Sequence, residues 1–167
     1  MTRPTSVRID LAALRNNYLY ARGVHGGRAL AVLKANAYGH GALASAHSLT
    51  SIADGFAVAF LDEACALREG GIRKPILVLE GCFNASELKI ANELELWAVV
   101  HQFEQIRLIE ESRTGARFNV WLKVDTGMSR AGFRPSEAAQ AYQRLQNTGK
   151  VSSITLMTHF ARADESA

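Results

Sequence analysis

Short apolar runs alternate with longer segments of helical periodicity along the whole chain, and this alternation limits the folds open to it. The apolar runs lie at 28–34, 55–61, 75–80, 96–101, 118–124 and 154–160. The segments between them, with apolar residues three and four positions apart, lie at 41–51, 62–70, 85–93, 102–112 and 135–148. Strands and helices in such alternation predict a parallel sheet with right-handed crossover connections.

Polar residues at the ends of the predicted strands help to separate the two α/β architectures that this pattern allows. Five of them lie at or just after the ends of different strands: Lys34, Glu80, His101, Asp125 and His159. A doubly wound sheet concentrates its site at one switch point, whereas a (β/α)8 barrel draws site residues from several strands. We therefore predict a barrel, as one domain over 1–167, represented by about its first six βα units.

Capping residues predict where several helices begin and end. A helix that precedes the first barrel strand is expected to be capped by Asp10 and to end at Gly23. Asp62 is expected to cap the helix that follows the second strand. Pro135 suits the first turn of the last helix.

Composition and charge exclude several classes of partner. The chain has 19 Lys and Arg against 16 Asp and Glu, for a net charge of +3, with both signs mixed along its length. The sequence has no basic stripe of the kind that would indicate binding to nucleic acid or to a membrane surface. No apolar run approaches the roughly 20 residues of a transmembrane helix, and no signal peptide precedes the first helix, so we expect a cytoplasmic protein.

Lys34 lies where the first apolar run ends, and two interpretations of it remain open. Most lysines are solvated, and a lysine at a strand end can simply extend to water. A desolvated lysine, by contrast, has a lowered pKa and becomes the neutral nucleophile that Schiff-base chemistry needs. The following loop favours a ligand, because glycines allow close approach and the phenol of Tyr38 could donate to a phosphate oxygen.

Three stretches, in order along the chain, resemble one enzyme family. They are AVLKANAYGHG at 31–41, WLKVDTGMSRAGF at 121–133 and MTHFARADE at 157–165. Together they resemble the signatures of the alanine racemases, enzymes that depend on pyridoxal 5'-phosphate (PLP) and combine a barrel with a β-rich C-terminal domain. The resemblance extends over all 167 residues and corresponds to the N-terminal portion of the family.

The resemblance implies a role for each matching residue. Lys34 would hold PLP as a Schiff base and act as the base on one face of the substrate Cα, and Tyr38 would bind the phosphate. Arg130 would lie near the phenolic oxygen of the cofactor and the substrate carboxylate, and His159 would lie beside the pyridine ring. Met128 matches a residue whose backbone assists the site of a neighbouring subunit.

Lys123 matches a lysine that is carbamylated in many members of the family. It lies within an apolar strand, seven positions before Arg130, and two unpaired cations in a barrel interior would be costly. A carbamate would reverse the charge and accept hydrogen bonds from Arg130. The alternative is that Lys123 pairs with Asp125 or Glu80. No metal site is expected, because neither His159 nor Asp164 has a neighbour at ligand spacing.

The resemblance implies an isomerase that interconverts L-alanine and D-alanine, for cell-wall precursors or alanine catabolism, as a homodimer. We expect the C-terminal β domain, the last two barrel strands and the second base to lie outside this chain, which would then be inactive alone. Two alternatives remain: a non-catalytic single-barrel PLP-binding protein, and a broad-specificity racemase or decarboxylase of the same fold.

Overall fold

The computed structural model describes residues 4–113, 115 and 117–165, and it contains six strands and seven helical segments. The strands are β1 Leu30–Val32, β2 Gly55–Val58, β3 Ile76–Val78, β4 Trp97–Val100, β5 Phe118–Lys123 and β6 Val151–Met157. The helical segments are α1 Leu11–His25, α2 Lys34–Tyr38, α3 Ala42–Leu49, α4 Leu61–Glu69, α5 Ala85–Glu93, α6 Phe103–Glu111 and α7 Pro135–Asn147. None of the described helices is long and apolar enough to cross a bilayer.

The strand order confirms the predicted barrel class. All five neighbouring pairs are parallel, and the order in the sheet is β1-β2-β3-β4-β5-β6, the order of the chain. A doubly wound sheet must reverse direction at a switch point, and this sheet has no reversal. Each crossover therefore advances the sheet in one sense, as in the successive βα units of a barrel.

The central strands β2, β3 and β4 are buried on both faces, and each face packs against a different set of residues. Residues such as Phe56, Val78 and Leu122 belong to a large core between the sheet and the helices. Alternate positions on the opposite face form a small cluster of Ala57, Leu77 and Val99, packed against partly buried neighbours. Because side chains alternate along a strand, this second cluster fills the concave side of the sheet.

The face of each β5 side chain follows from this alternation. Trp121 packs against the concave cluster and stacks on Trp97 with a 6.1 Å centroid separation. Lys123 lies two positions later and therefore faces the same concave side. Leu122, between them, is fully buried on the helix side. The sheet thus places Lys123 inside the barrel, at the carboxyl end of β5.

Two predicted helix boundaries are wrong. The first helix begins after Asp10, whose side chain accepts the N–H groups of Ala12 and Ala13, but it continues past Gly23 and ends at His25. Gly26 has φ +75° and its N–H is donated to the carbonyl of Arg22, so the later glycine terminates the helix. The spacing of glycines alone cannot distinguish the two positions.

Asp62 does not cap α4. The helix begins at Leu61 with Phe60 as its N-cap, and Asp62 lies within the first turn. Glu63, the third helical residue, instead accepts the N–H of Phe60 at 3.1 Å. This reach from the third position back to the start of the helix is the acidic half of a capping box. Glu137 does the same in α7. Glu87 in α5 and Gln105 in α6 accept the N–H of the residue that precedes the N-cap.

Candidate active site

The residues matched to the family's site lie at or after the carboxyl ends of β1, β5 and β6. Lys34 lies two residues past β1, Lys123 is the last residue of β5, and His159 lies two residues past β6. Carboxyl ends of parallel strands share one edge of the sheet, which in barrels is the edge that carries active sites. Lys34 is half-buried, whereas Tyr38, Arg130 and His159 are exposed.

The chain makes an unusual turn directly after Lys34. Four consecutive non-glycine residues, Ala35 to Tyr38, have φ between +51° and +54°, so α2 is a left-handed turn. This conformation costs roughly 1–2 kcal/mol for each L-residue, and other contacts must stabilise it. The turn brings the ring of Tyr38 back toward Lys34, with its centroid 6.0 Å from Nζ. The amine and the phenol therefore face a common space.

Hydrogen bonds hold both ends of this turn. At its start, the N–H of Ala35 is donated to Oε1 of Glu63 at 2.6 Å, and the N–H of Ala37 is donated to the carbonyl of Leu33 at 2.8 Å. At its end, Oδ1 of Asn36 accepts the N–H of Ala42, the first residue of α3, at 2.8 Å. The turn is thus attached to α4 on one side and to α3 on the other.

The loop after β5 folds back on the strand that precedes it. The N–H of Phe133 is donated to the carbonyl of Lys123 at 2.9 Å, and the N–H of Asp125 to the carbonyl of Phe133 at 2.8 Å. Gly132 permits this approach, because a Cβ there would lie 2.7 Å from the nitrogen of Asp125 and its φ is +131°. The closed loop carries Met128 and Arg130 over the end of β5.

Asp125 shapes the interior of the same loop. Its carboxylate accepts the N–H groups of Gly127 at 2.9 Å and Ser129 at 3.0 Å. These two hydrogen bonds hold the pKa of Asp125 below its ordinary value. The carboxylate is thus committed to its own loop, where it orders the backbone that carries Arg130.

Two threonines connect this loop to the segment after β6. The hydroxyls of Thr126 and Thr158 lie 2.6 Å apart, and the hydroxyl of Thr158 is donated to the carbonyl of Val124 at 3.0 Å. Lys123, Arg130 and His159 consequently line one narrow cleft, together with Met128. The structure therefore brings four of the six predicted site residues into contact with one cleft. Lys34 and Tyr38 do not line this cleft and follow β1, at the opposite end of the strand order from β6.

The surroundings of Lys123 disfavour its charged form. Burial lowers its pKa below the ordinary 10.5, and the positive charges of Arg130 and Lys34 lower it further, while Glu80 and Asp125 oppose this effect. Among the described residues, no ion pair includes Lys123. The alternative in which Lys123 forms an ion pair with Asp125 or Glu80 is therefore not what the structure shows.

The backbone carbonyl of Glu80 is held by two side chains, of which the sequence predicted only His101 to lie at this edge of the sheet. The side-chain amide of Gln105 is donated to the carbonyl of Glu80 at 2.8 Å, and His101 Nε2 lies 3.1 Å from the same carbonyl. Gln105 is only 3% exposed, and its oxygen accepts the N–H of His101. The Gln or Glu at the third position of α4, α5, α6 and α7 was the available sequence signal for Glu63 and Gln105.

Comparisons with known proteins agree on one family. A profile of the alanine racemase N-terminal domain matches residues 9–167. The alanine racemase of Aromatoleum aromaticum is 58% identical over 163 residues, which are 98% of this chain and 46% of that protein. The catabolic alanine racemase of Pseudomonas putida is 55% identical over the same shares of the two chains.

Solved structures give the same result. The biosynthetic alanine racemase of Pseudomonas aeruginosa superimposes with a TM-score of 0.90 at 43% identity, covering 95% of this chain and 45% of that one. The alanine racemase of E. faecalis superimposes with a TM-score of 0.88 at 36% identity, covering 99% of this chain and 46% of that one. The chain spans about half the length of the curated relatives that it matches.

Replacing Lys123 by Met tests the electrostatics of the cleft. Because the folded-state pKa lies below 10.5, the protonated amine destabilises the fold at neutral pH, and this penalty disappears as pH rises toward 10.5. Lys123→Met should therefore raise the free energy of unfolding at neutral pH, with a gain that shrinks as pH approaches 10.5. Urea unfolding at a series of pH values, in buffers stripped of carbon dioxide, measures this difference.

The matched control is Lys89→Met, at an exposed lysine of α5. The difference between Lys123→Met and the parent should depend more strongly on pH than the difference between Lys89→Met and the parent. A Lys123→Met difference that depends on pH no more strongly than the Lys89→Met difference would contradict the electrostatic interpretation.

Proposed function

We propose that this chain, which belongs to the family of alanine racemase N-terminal domains, supplies the PLP-binding part of an enzyme that interconverts L-alanine and D-alanine. The observation that carries the proposal is the left-handed turn after β1. This turn brings the amine of Lys34 and the ring of Tyr38 close to each other, with 6.0 Å between Nζ and the ring centroid. An aldehyde and a phosphate of one cofactor require these two functional groups close together.

The chemistry of the donor set fits PLP. Lys34 offers a half-buried amine for covalent attachment, and Tyr38, 63% exposed, offers a hydroxyl that can donate to phosphate. Arg130 offers a guanidinium for a phenolate or a substrate carboxylate. His159 offers an imidazole beside the same cleft. These side chains supply cationic and neutral donors for a cofactor that carries negative charge.

Racemisation needs a proton removed from one face of Cα and returned on the other face. PLP, when bound, delocalises the negative charge that Cα acquires when the proton leaves. In this proposal, Lys34 holds the proton at Nζ on one face of Cα, and Arg130 orients the carboxylate of the amino acid. Lys34 serves one face only, so the reaction needs a second acid/base group.

We further infer that Lys123 carries a carbamate. The ammonium group would first release a proton to solvent, and the neutral nitrogen would then bond to the carbon of carbon dioxide as one C=O π bond becomes a C–O⁻ bond. The nitrogen would release a second proton to solvent, so that the side chain changes from positive to negative. The lowered pKa supports this step, because it enlarges the fraction of neutral, nucleophilic amine. The resulting carboxylate would compensate the charge of Arg130, which lines the same cleft.

Alanine as the substrate, a homodimer as the functional unit and the cytoplasm as the compartment belong to the same proposal. The named alanine racemases that match the chain over 98% of its length support the substrate. Met128, 37% exposed on the loop after β5, offers a backbone that a neighbouring subunit could contact. We place the enzyme in the supply or the breakdown of D-alanine.

Covalent attachment to Lys34 is the first test of the proposed function. Incubation of the chain with PLP, followed by borohydride reduction and peptide mass spectrometry, should place the pyridoxyl group on Lys34. Lys34→Ala should remove this modification, because the described segment between β1 and β2 contains no other lysine, whereas Lys89→Ala should retain it. D-alanine formation from L-alanine, assayed on the same samples, separates cofactor binding from turnover.

Modification of several lysines to equal extents, with Lys34 unremarkable among them, would contradict the site. Attachment without turnover would leave the cofactor assignment intact and favour a PLP-binding protein or an incomplete site. Turnover that persists in Lys34→Ala would contradict the role of Lys34 as a base.

Carbamylation of Lys123 is tested with carbon-13 bicarbonate. The parent chain should show a carbamate carbonyl resonance that is absent from Lys123→Met and present in Lys89→Met. Acidification should remove the signal, because protonation of the nitrogen releases carbon dioxide. An identical spectrum for the parent and Lys123→Met would contradict the carbamate.

A further inference from the structure

We propose that Glu63 is a positioning residue for Lys34, acting through the left-handed turn at 35–38. The inference rests on the proposed function in one respect, namely that Lys34 is the attachment residue. Glu63 lies outside the cleft and is the third residue of α4. Its carboxylate connects the turn after β1 with the turn after β2.

The two oxygens of Glu63 have different partners. Oε1 accepts the N–H of Ala35, the residue that directly follows Lys34, at 2.6 Å. Oε2 accepts the N–H groups of Ala59 at 2.7 Å and Phe60 at 3.1 Å. One half-buried carboxylate therefore satisfies three backbone donors from two separate loops.

The bond to Ala35 lies where the left-handed turn begins. The first N–H groups of any helical turn have no partner within the turn, and here the side chain of α4 supplies one. Without this acceptor, Ala35 can return to the ordinary right-handed region, which L-residues prefer. Lys34 and Tyr38 would then no longer face the same space, because the turn alone brings the phenol back toward the amine.

A comparison with Glu87 shows that this contact exceeds ordinary helix capping. Glu87 occupies the same third position in α5 and is also half-buried. Its carboxylate accepts the N–H of Phe83 at 2.8 Å and the side-chain amide of Asn84 at 3.1 Å, both at the start of its own helix. Glu63 makes the equivalent capping contacts and in addition reaches the loop of the preceding strand.

Three variants test the proposal: Glu63→Ala, Glu63→Gln and the matched control Glu87→Ala. The first readout needs no cofactor and is amide hydrogen exchange at Ala35 to Tyr38, measured by NMR. Glu63→Ala should accelerate this exchange by about tenfold or more, the usual effect of losing a hydrogen bond to a charged acceptor. Glu63→Gln should give an intermediate value, because its single carbonyl oxygen can serve one of the two loops. Glu87→Ala should leave exchange in the turn at the parental rate.

The second readout is the rate at which PLP becomes attached to Lys34, trapped by borohydride and quantified by mass spectrometry. We expect about a tenfold lower rate in Glu63→Ala, a partial recovery in Glu63→Gln and the parental rate in Glu87→Ala. A general loss of helix stability would slow both alanine variants alike. The difference between them therefore isolates positioning from capping.

Equal exchange rates in Glu63→Ala and Glu87→Ala would overturn the proposal. If Glu63→Ala fails to fold, as judged by circular dichroism, Glu63→Gln alone decides, and parental exchange in that variant would overturn it. If the parent takes no PLP on Lys34, the proposed function fails, while the exchange data still decide whether Glu63 anchors the turn.

Discussion

Parallel pairing of strands in chain order has one consequence for every loop that follows a strand. Each crossover returns the chain to the same end of the sheet, so the segments after β1, β3, β5 and β6 meet at one edge. Residues separated by more than 80 positions, such as Lys34 and Lys123, become electrostatically coupled in this way. The sheet determines which residues meet, and the loops determine how the side chains are aimed.

The loops at this edge are aimed by backbone hydrogen bonds to side chains. Glu63 holds the turn after Lys34, Asp125 holds the loop that carries Arg130, and Gln105 holds the carbonyl of Glu80. In the first two cases the carboxylate is occupied by backbone N–H groups. In the described part of the chain, neither carboxylate forms an ion pair with a lysine. Lys123 and Arg130 meanwhile line the same cleft. This imbalance is the physical argument for the proposal that Lys123 carries a carbamate.

The sequence allowed the barrel class to be predicted, because this class depends on periodicity, and it allowed candidate site residues to be proposed from motif spacing. The positions of Lys34, Tyr38, Lys123 and Arg130 follow from strand ends and from three contiguous motifs. Four consecutive left-handed residues could not be predicted from Ala-Asn-Ala-Tyr, because only asparagine visits this region readily, and then as a single residue. The stabilising contact is also remote, since Glu63 lies 28 positions from Ala35. The predictions that the first helix ends at Gly23 and that Asp62 caps α4 were wrong for a related reason, since several residues in each region could serve as caps.

A structure of the chain with PLP bound tests most directly the claim that the left-handed turn aims Lys34 and Tyr38 at one cofactor. It should show continuous density from Nζ of Lys34 to the cofactor, with the phosphate within hydrogen-bonding distance of the hydroxyl of Tyr38 and positive φ retained from Ala35 to Tyr38. A cofactor attached to Lys34 whose phosphate lies away from Tyr38, or a turn that has become right-handed, would contradict it.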